Sequence, residues 1–187
     1  RGEPTASGGG LNPLLPPDCW AAELTEMTPG FHARKSALTR SYRYVIGTDD
    51  ASASPFRRPF EWALQRPLDC AGLDAAGAAI RGEHEFEAFS VRGQEKPHYR
   101  CRLDRAEWRL RDGQGAVFHV EADRFLHHMV RMLVGTMVDI ALHRRPLEDM
   151  SRLLAGRDNQ DTSAPAPPEG LYFVRATYPA SLYRAPV

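Results

Sequence analysis

The chain has 187 residues, 42% of them hydrophobic and 26% charged, with a formal net charge of zero. That is enough for one buried core, or for one domain with a piece of another, and it argues against a polyanion binder that works through its whole surface charge. Contact with phosphates would have to come from a local cluster of cations, nearly all of them arginines, since Lys35 and Lys96 are the only lysines.

In chain order, the Gly/Ser/Pro-rich residues 1–10 read as a flexible lead-in. Residues 11–17 read as a short apolar turn stopped by prolines, and 20–27 as one edge strand. Cys19, Cys70 and Cys101 are odd in number and far apart, without a CxxC. They read as free thiols in a reducing cytoplasm, neither a disulfide frame nor a zinc site. No apolar stretch approaches membrane-spanning length.

Residues 31–46 form an acid-free basic-aromatic run that reads as one strand carrying Arg34, Lys35, Arg40 and Arg43 with two tyrosines. Tyr42 and Tyr44 are two apart and share a face, while Arg43 points to the other. On an open sheet face Tyr42 could stack on an extruded base, worth about 1–3 kcal/mol. Flipping a base costs a few kcal/mol, so phosphate contacts from Arg34, Lys35 and Arg40 would have to add the rest. The plain alternative is that these tyrosines are core.

Residues 69–80 read as an alanine-rich helix opened by an aspartate. Gly82-Glu83-His84-Glu85-Phe86 lacks metalloprotease spacing and reads as a helix-terminal loop. Residues 100–110 and 116–122 alternate around Asp112-Gly113, a hairpin. Residues 125–142 carry apolar residues at Leu126, Met129, Val130, Leu133, Met137 and Ile140, the spacing of a buried helix face. Arg131 then sits away from that stripe with His127 and Gly135 as its four-residue neighbours. It is either an ordinary exposed helical arginine or one that needs an anionic partner, whose loss would cost roughly 3–5 kcal/mol. His127-His128 are adjacent and cannot share one metal from a helix face. Residues 147–155 read as a second short helix. A Ser/Ala/Pro-rich loop then leads to a strand at 170–178, with Leu171 and Phe173 on one face.

The resulting order is strand, helix, strand, strand, helix, strand. It predicts an α+β, ferredoxin-like (RRM-like) split β-α-β fold, an antiparallel sheet with helices on one face. There is no GxxxxGK[ST], GxGxxG or GxSxG, so NTP hydrolysis, nucleotide-cofactor chemistry and elbow-type esterase chemistry have no support.

Seven segments, in order, carry a resemblance: Leu11-Asn12 with Leu14-Leu15-Pro16; Phe31-His32-Ala33-Arg34 with Ser36-Ala37; Tyr42-Arg43-Tyr44; Gly82-Glu83-His84 with Phe86 and Phe89; Phe125-Leu126-His127-His128-Met129-Val130-Arg131 with Val134-Gly135; Gly156-Arg157-Asp158; and Gly170-Leu171-Tyr172. Together they resemble the tRNA pseudouridine synthase A family over residues 11–179. The resemblance implies a cytoplasmic RNA isomerase that needs no cofactor and no metal, a homodimer acting on the tRNA anticodon stem-loop at the family's positions 38, 39 and 40. It implies Tyr42 as the tyrosine that stacks on the target uracil and helps to remove its C5 proton. Arg131 is implied as the partner of the catalytic aspartate, and Leu171 as pocket wall. Arg34, Arg40, His127 and His128 complete the substrate-binding set. In the family an aspartate either attacks the ribose anomeric carbon or takes the 2′ proton.

The family's Arg-Thr-Asp-Ala-Gly motif is absent from these 187 residues. Lys35 stands where an aromatic is usual, and Arg124 and Met132 stand where asparagines are common. The resemblance therefore implies that residues 1–34 are a flexible lead-in and remnant of an N-terminal domain, 35–182 a C-terminal α/β synthase domain, and 183–187 a tail. It implies a chain inactive by itself, with Arg131 lacking its carboxylate and one sheet edge open. The alternative is a non-catalytic RNA-binding module of the same fold.

Overall fold

The computed structural model describes residues 6–7, 10–91 and 98–184. Most of the lead-in expected over 1–10, and the expected tail beyond Arg184, lie outside the described residues. The chain divides into two units, Arg1–Leu38 with Thr177–Val187, and Thr39–Ala176.

In the first unit, strand β1 (Ala6–Ser7) pairs antiparallel with β2 (Glu23–Leu24). Asn12 opens a 3-10 turn, Asn12–Leu14, with a proline in its first turn. The longer edge strand expected over 20–27 does not form. Within it the Ala21 amide donates instead to the Asn12 side chain at 2.7 Å, and Met27 makes an isolated bridge to Tyr183. Residues 31–36 are likewise a turn rather than strand. The His32 imidazole accepts the amides of Arg34 and Lys35 at 3.2 and 3.3 Å, and the Ser36 amide closes onto the His32 carbonyl. The expected single strand over 31–46 is thus corrected, because a side chain able to bond nearby amides competes with extended pairing.

The second unit contains β3 (Thr39–Gly47), β4 (Trp62–Ala63), α1 (Cys70–Ala79), β5 (Gly82–Glu85), β6 (Arg100–Arg111), β7 (Gly115–Ala122), α2 (Met129–Ala141), α3 (Asp149–Ala155) and β8 (Leu171–Thr177). The sheet order is β4-β3-β7-β6-β5, with β8 also on β3. Among the four long strands, the first and third are neighbours and the second and fourth lie outside them. That is the split β-α-β arrangement expected from the sequence. β3, β7, β6 and β5 pair antiparallel, and β4 adds a parallel pair of residues to β3. The β6–β7 hairpin turns through Gly113 at φ 75° and returns through Gly115 at φ 133°, conformations that favour glycine.

Helix α1 starts where the Asp69 carboxylate accepts the Ala71 amide at 3.0 Å. Its Gly77 lies against the Ala106 carbonyl and the Trp108 ring, so the helix sits low on β6. Helix α2 starts at Met129, four residues later than expected, because His128 adopts φ 63° and breaks the helical path. His127 is therefore not a helical neighbour of Arg131. Gly82–Glu85 is a paired strand rather than the expected loop, since its register on β6 satisfies its backbone groups.

Both helices cover the sheet face that carries Tyr44, Ile46, Phe118, Val120, Ala106 and Trp108, all buried. Eleven of the thirteen residues of α2 are buried; Arg131 and Asp139 are the two that are not. Burying Met129, Leu133 and Met137 contributes about 1.5–3 kcal/mol each, before the ordering cost. No helix among the described residues is long and apolar enough to cross a membrane.

Candidate active site

Strand alternation places Tyr42 and Tyr44 on one face and Arg43 on the other. That face is the helix-covered one and not the open one, which corrects the expected setting of Tyr42. Tyr44 and Ile46 continue the same side into the core, and Phe125, at the entry to α2, meets Tyr42 edge-on at 5.0 Å between ring centroids. Phe173 of β8 meets it edge-on from another side at 5.4 Å. The two rings fix the plane of a half-buried tyrosine. Arg43, on the opposite face, lies over the Tyr172 ring at 4.7 Å.

Tyr44 is fully buried and donates to the Pro167 carbonyl at 2.6 Å. Burial pushes its hydroxyl pKa well above the ordinary phenol range; the Arg131 charge offsets part of that rise and Glu169 adds to it. A phenol so held stays a donor. Gly170 lets the backbone close on this ring, because an added Cβ would stand 2.6 Å from the Val45 carbonyl and 2.8 Å from the Tyr44 ring.

Arg131 is half-buried, and its Nε donates to the Ala166 carbonyl at 2.6 Å. The Ala166 amide donates back to the Arg131 carbonyl at 2.9 Å. One turn on, a side chain at Gly135 would collide with the Ala164 carbonyl, so glycine is what lets this loop lie on α2. The Ser163 amide reaches the Thr136 hydroxyl at 3.4 Å. Among the described residues Arg131 makes no ion pair.

The remaining expected site residues divide between these surroundings and others. Leu171 is half-buried against the core directly after Gly170. The His127 and His128 rings stack at 4.2 Å, and partial burial, His127 and Arg131 together lower the His128 pKa. Arg40 reaches the Asp123 carbonyl at 2.7 Å. Arg34 is exposed in the His32 turn and belongs to the other unit. Sequence reasoning did not single out Phe125, Ala166 or Tyr44 for the site. A proline-rich loop gave no sign that it would run along a helix, although Gly135 in an apolar helix was a usable signal. No group of three His, Cys, Asp or Glu among the described residues could hold a metal ion.

A family model described as tRNA pseudouridine synthase matches residues 76–179, over half of the chain. The chain belongs to the tRNA pseudouridine synthase family. It is 36% identical over 168 residues to tRNA pseudouridine synthase A of Moorella thermoacetica, covering 90% of this chain and 68% of that protein. It is also 36% identical over 172 residues to the protein of that name from Hydrogenovibrio crunogenus, 92% of this chain and 65% of the other. Against tRNA pseudouridine synthase A 1 of Protochlamydia amoebophila the identity is 33% over 171 residues, 90% and 66%. The chain thus spans about two thirds of the length of these curated relatives.

Proposed function

We propose that this chain forms the uracil-binding and arginine-bearing part of a tRNA pseudouridine synthase. The enzyme isomerises uridine to pseudouridine in the anticodon stem-loop at positions 38, 39 and 40. The bond from C1′ to N1 breaks, the freed uracil turns, and C1′ joins C5; the C5 proton is lost and N1 gains one. The observation that carries this reading is the immobilised guanidinium of Arg131, on the side of the sheet where Phe125 and Phe173 brace Tyr42. Tyr42 stacks on the extruded base and helps to remove its C5 proton.

The Nη edge of Arg131 serves an aspartate that these 187 residues do not supply in the family's motif. That acid keeps its charge because a fixed cation stands beside it. The functional protein is a cytoplasmic homodimer in which the chain acts with a segment bearing the acid, tRNA lying across both subunits. Arg34, Arg40, His127 and His128 contact the RNA, and Leu171 walls the base.

The test is pseudouridine formation on unmodified tRNA, assayed with the chain alone and with the longer protein that includes an Arg-Thr-Asp segment. Turnover by the longer protein only, abolished by Tyr42→Leu, is the expected result. Turnover by the chain alone would sink the external acid, and no turnover in either would sink the activity.

A further inference from the structure

The loop between α3 and β8 is pinned at both of its sides, by the Tyr44 side chain on one and by the Arg131 and Thr136 side chains on the other. On the sheet side the Tyr44 hydroxyl holds Pro167 at 2.6 Å, with Gly170 packed on the ring. On the helix side Ala166 exchanges hydrogen bonds with Arg131, and Thr136 receives the Ser163 amide. Pro167 directly follows Ala166, so the Tyr44 hydroxyl sits one peptide away from the carbonyl that aims the guanidinium.

We propose that Tyr44 is a positioning residue for Arg131, acting through the Ala166-Pro167 peptide, and that residues 163–170 form the strap that transmits its hold. This rests on the functional reading above and goes beyond it, since Tyr44 touches neither base nor acid. Three features support it. The Thr136 hydroxyl also donates to the Met132 carbonyl at 3.0 Å, so the strap is tied to a helix turn that is itself buried. The Tyr44 hydroxyl donates to the Pro167 carbonyl at 2.6 Å while Gly170 closes the backbone onto the same ring, so the sheet side grips the strap at two points. Burial on the sheet side leaves the phenol no water to exchange for Pro167. An arginine on a half-exposed helix edge would otherwise sample many rotamers; with Nε anchored, its outer nitrogens present one fork.

Tyr44→Phe removes one oxygen and keeps the ring. Two readouts follow it: exchange of the Arg131 Nε proton by NMR in the 187-residue chain, and kcat and KM for tRNA in the longer, acid-bearing protein. The expected result is exchange about tenfold faster and kcat about tenfold lower with KM unchanged, the scale of one lost hydrogen bond. Thr136→Val, which loosens the strap from the helix side, should shift both in the same direction and stands in if Tyr44→Phe does not fold. Ser52→Ala is the control: it removes a buried hydroxyl that donates to the Asp49 carbonyl at 2.6 Å, away from the strap. It should cost stability and leave both readouts alone.

Unchanged exchange or unchanged kcat in Tyr44→Phe overturns the proposal, and so does an equal effect of Ser52→Ala. If the unsubstituted longer protein makes no pseudouridine, the activity reading fails by itself. The exchange rates then still decide whether Tyr44 holds Arg131.

Discussion

Arg131 and Ala166 are joined twice, Nε to carbonyl at 2.6 Å and amide to carbonyl in return at 2.9 Å. The first bond holds the guanidinium and the second holds the loop backbone, on a helix whose other residues, Asp139 apart, are buried. Under the proposed function, a cation held in this way would need no reorganisation when charge develops at the ribose, which is how electrostatic stabilisation becomes effective.

Arg131→Lys keeps the charge and loses both the Nε donor and the fork. A lysine ammonium cannot satisfy the Ala166 carbonyl and a carboxylate in the same planar geometry. Pseudouridine formation by the longer protein should fall about a hundredfold, with tRNA affinity nearly unchanged. Single-turnover rates measured at saturating enzyme, alongside filter binding of tRNA, check this; a matching loss of affinity would assign Arg131 to binding instead.

Gly135→Ala tests the strap from the helix side. The new methyl would strike the Ala164 carbonyl, which is backbone and can yield only if the loop lifts from α2. Such overpacking costs roughly 1–3 kcal/mol. Thermal unfolding of the chain should show a midpoint lower by about 3–10 °C. An unchanged midpoint would mean that the loop shifts freely.

Much of this architecture could be read from residue order. Alternation in 41–47 and 116–122 gave the faces of Tyr44, Ile46, Phe118 and Val120, and Asp112-Gly113 gave the hairpin. What escaped has physical causes. His128 occupies a left-handed conformation that a histidine seldom adopts, so the start of α2 was hidden. Period two told that Tyr42 and Tyr44 share a face and could not tell which face the helices cover. The strap has no periodicity at all, because its contacts are made by backbone atoms of Ala164, Ala166 and Pro167. Resemblance to a family pointed at Arg131; only geometry supplied what holds it.

Glu61 is 4% exposed and lies between two guanidiniums, Arg57 at 2.7 Å and Arg111 at 2.5 Å. Its room exists because residue 47 is glycine; an added Cβ there would stand 2.6 Å from the Glu61 Oε1. Arg57 also has Asp49 as a bidentate partner, whereas Arg111 has no other carboxylate partner among the described residues. Glu61→Gln preserves shape and removes the counter-charge from both arginines. It should destabilise the chain by about 3 kcal/mol, the low end for breaking a buried pair. Pairing it with Arg111→Met should recover part of that loss, and denaturant titration of both variants reads the difference. Equal losses in the single and double variants would show that Arg111 contributes nothing to the pair.

His119 faces the open side of the sheet opposite Arg43 and Glu107. Burial, then the charges of Arg105 and Arg109, lower its pKa; Glu107 opposes them and Arg43 adds to the lowering. A histidine whose folded pKa lies below its unfolded value binds fewer protons folded than unfolded between those two values. The stabilisation is therefore complete above the unfolded pKa, near 6.5 on the ordinary scale, and is lost as pH falls through the folded value. The melting midpoint should drop between about pH 7.5 and about pH 5.5, and His119→Gln should flatten that slope. Carboxylates held low by arginines, such as Glu107 and Asp149, lose their contribution only in more acidic solution, which separates the two effects. An NMR titration of the His119 ring gives the sign directly: a midpoint above the free-histidine value would reverse the argument.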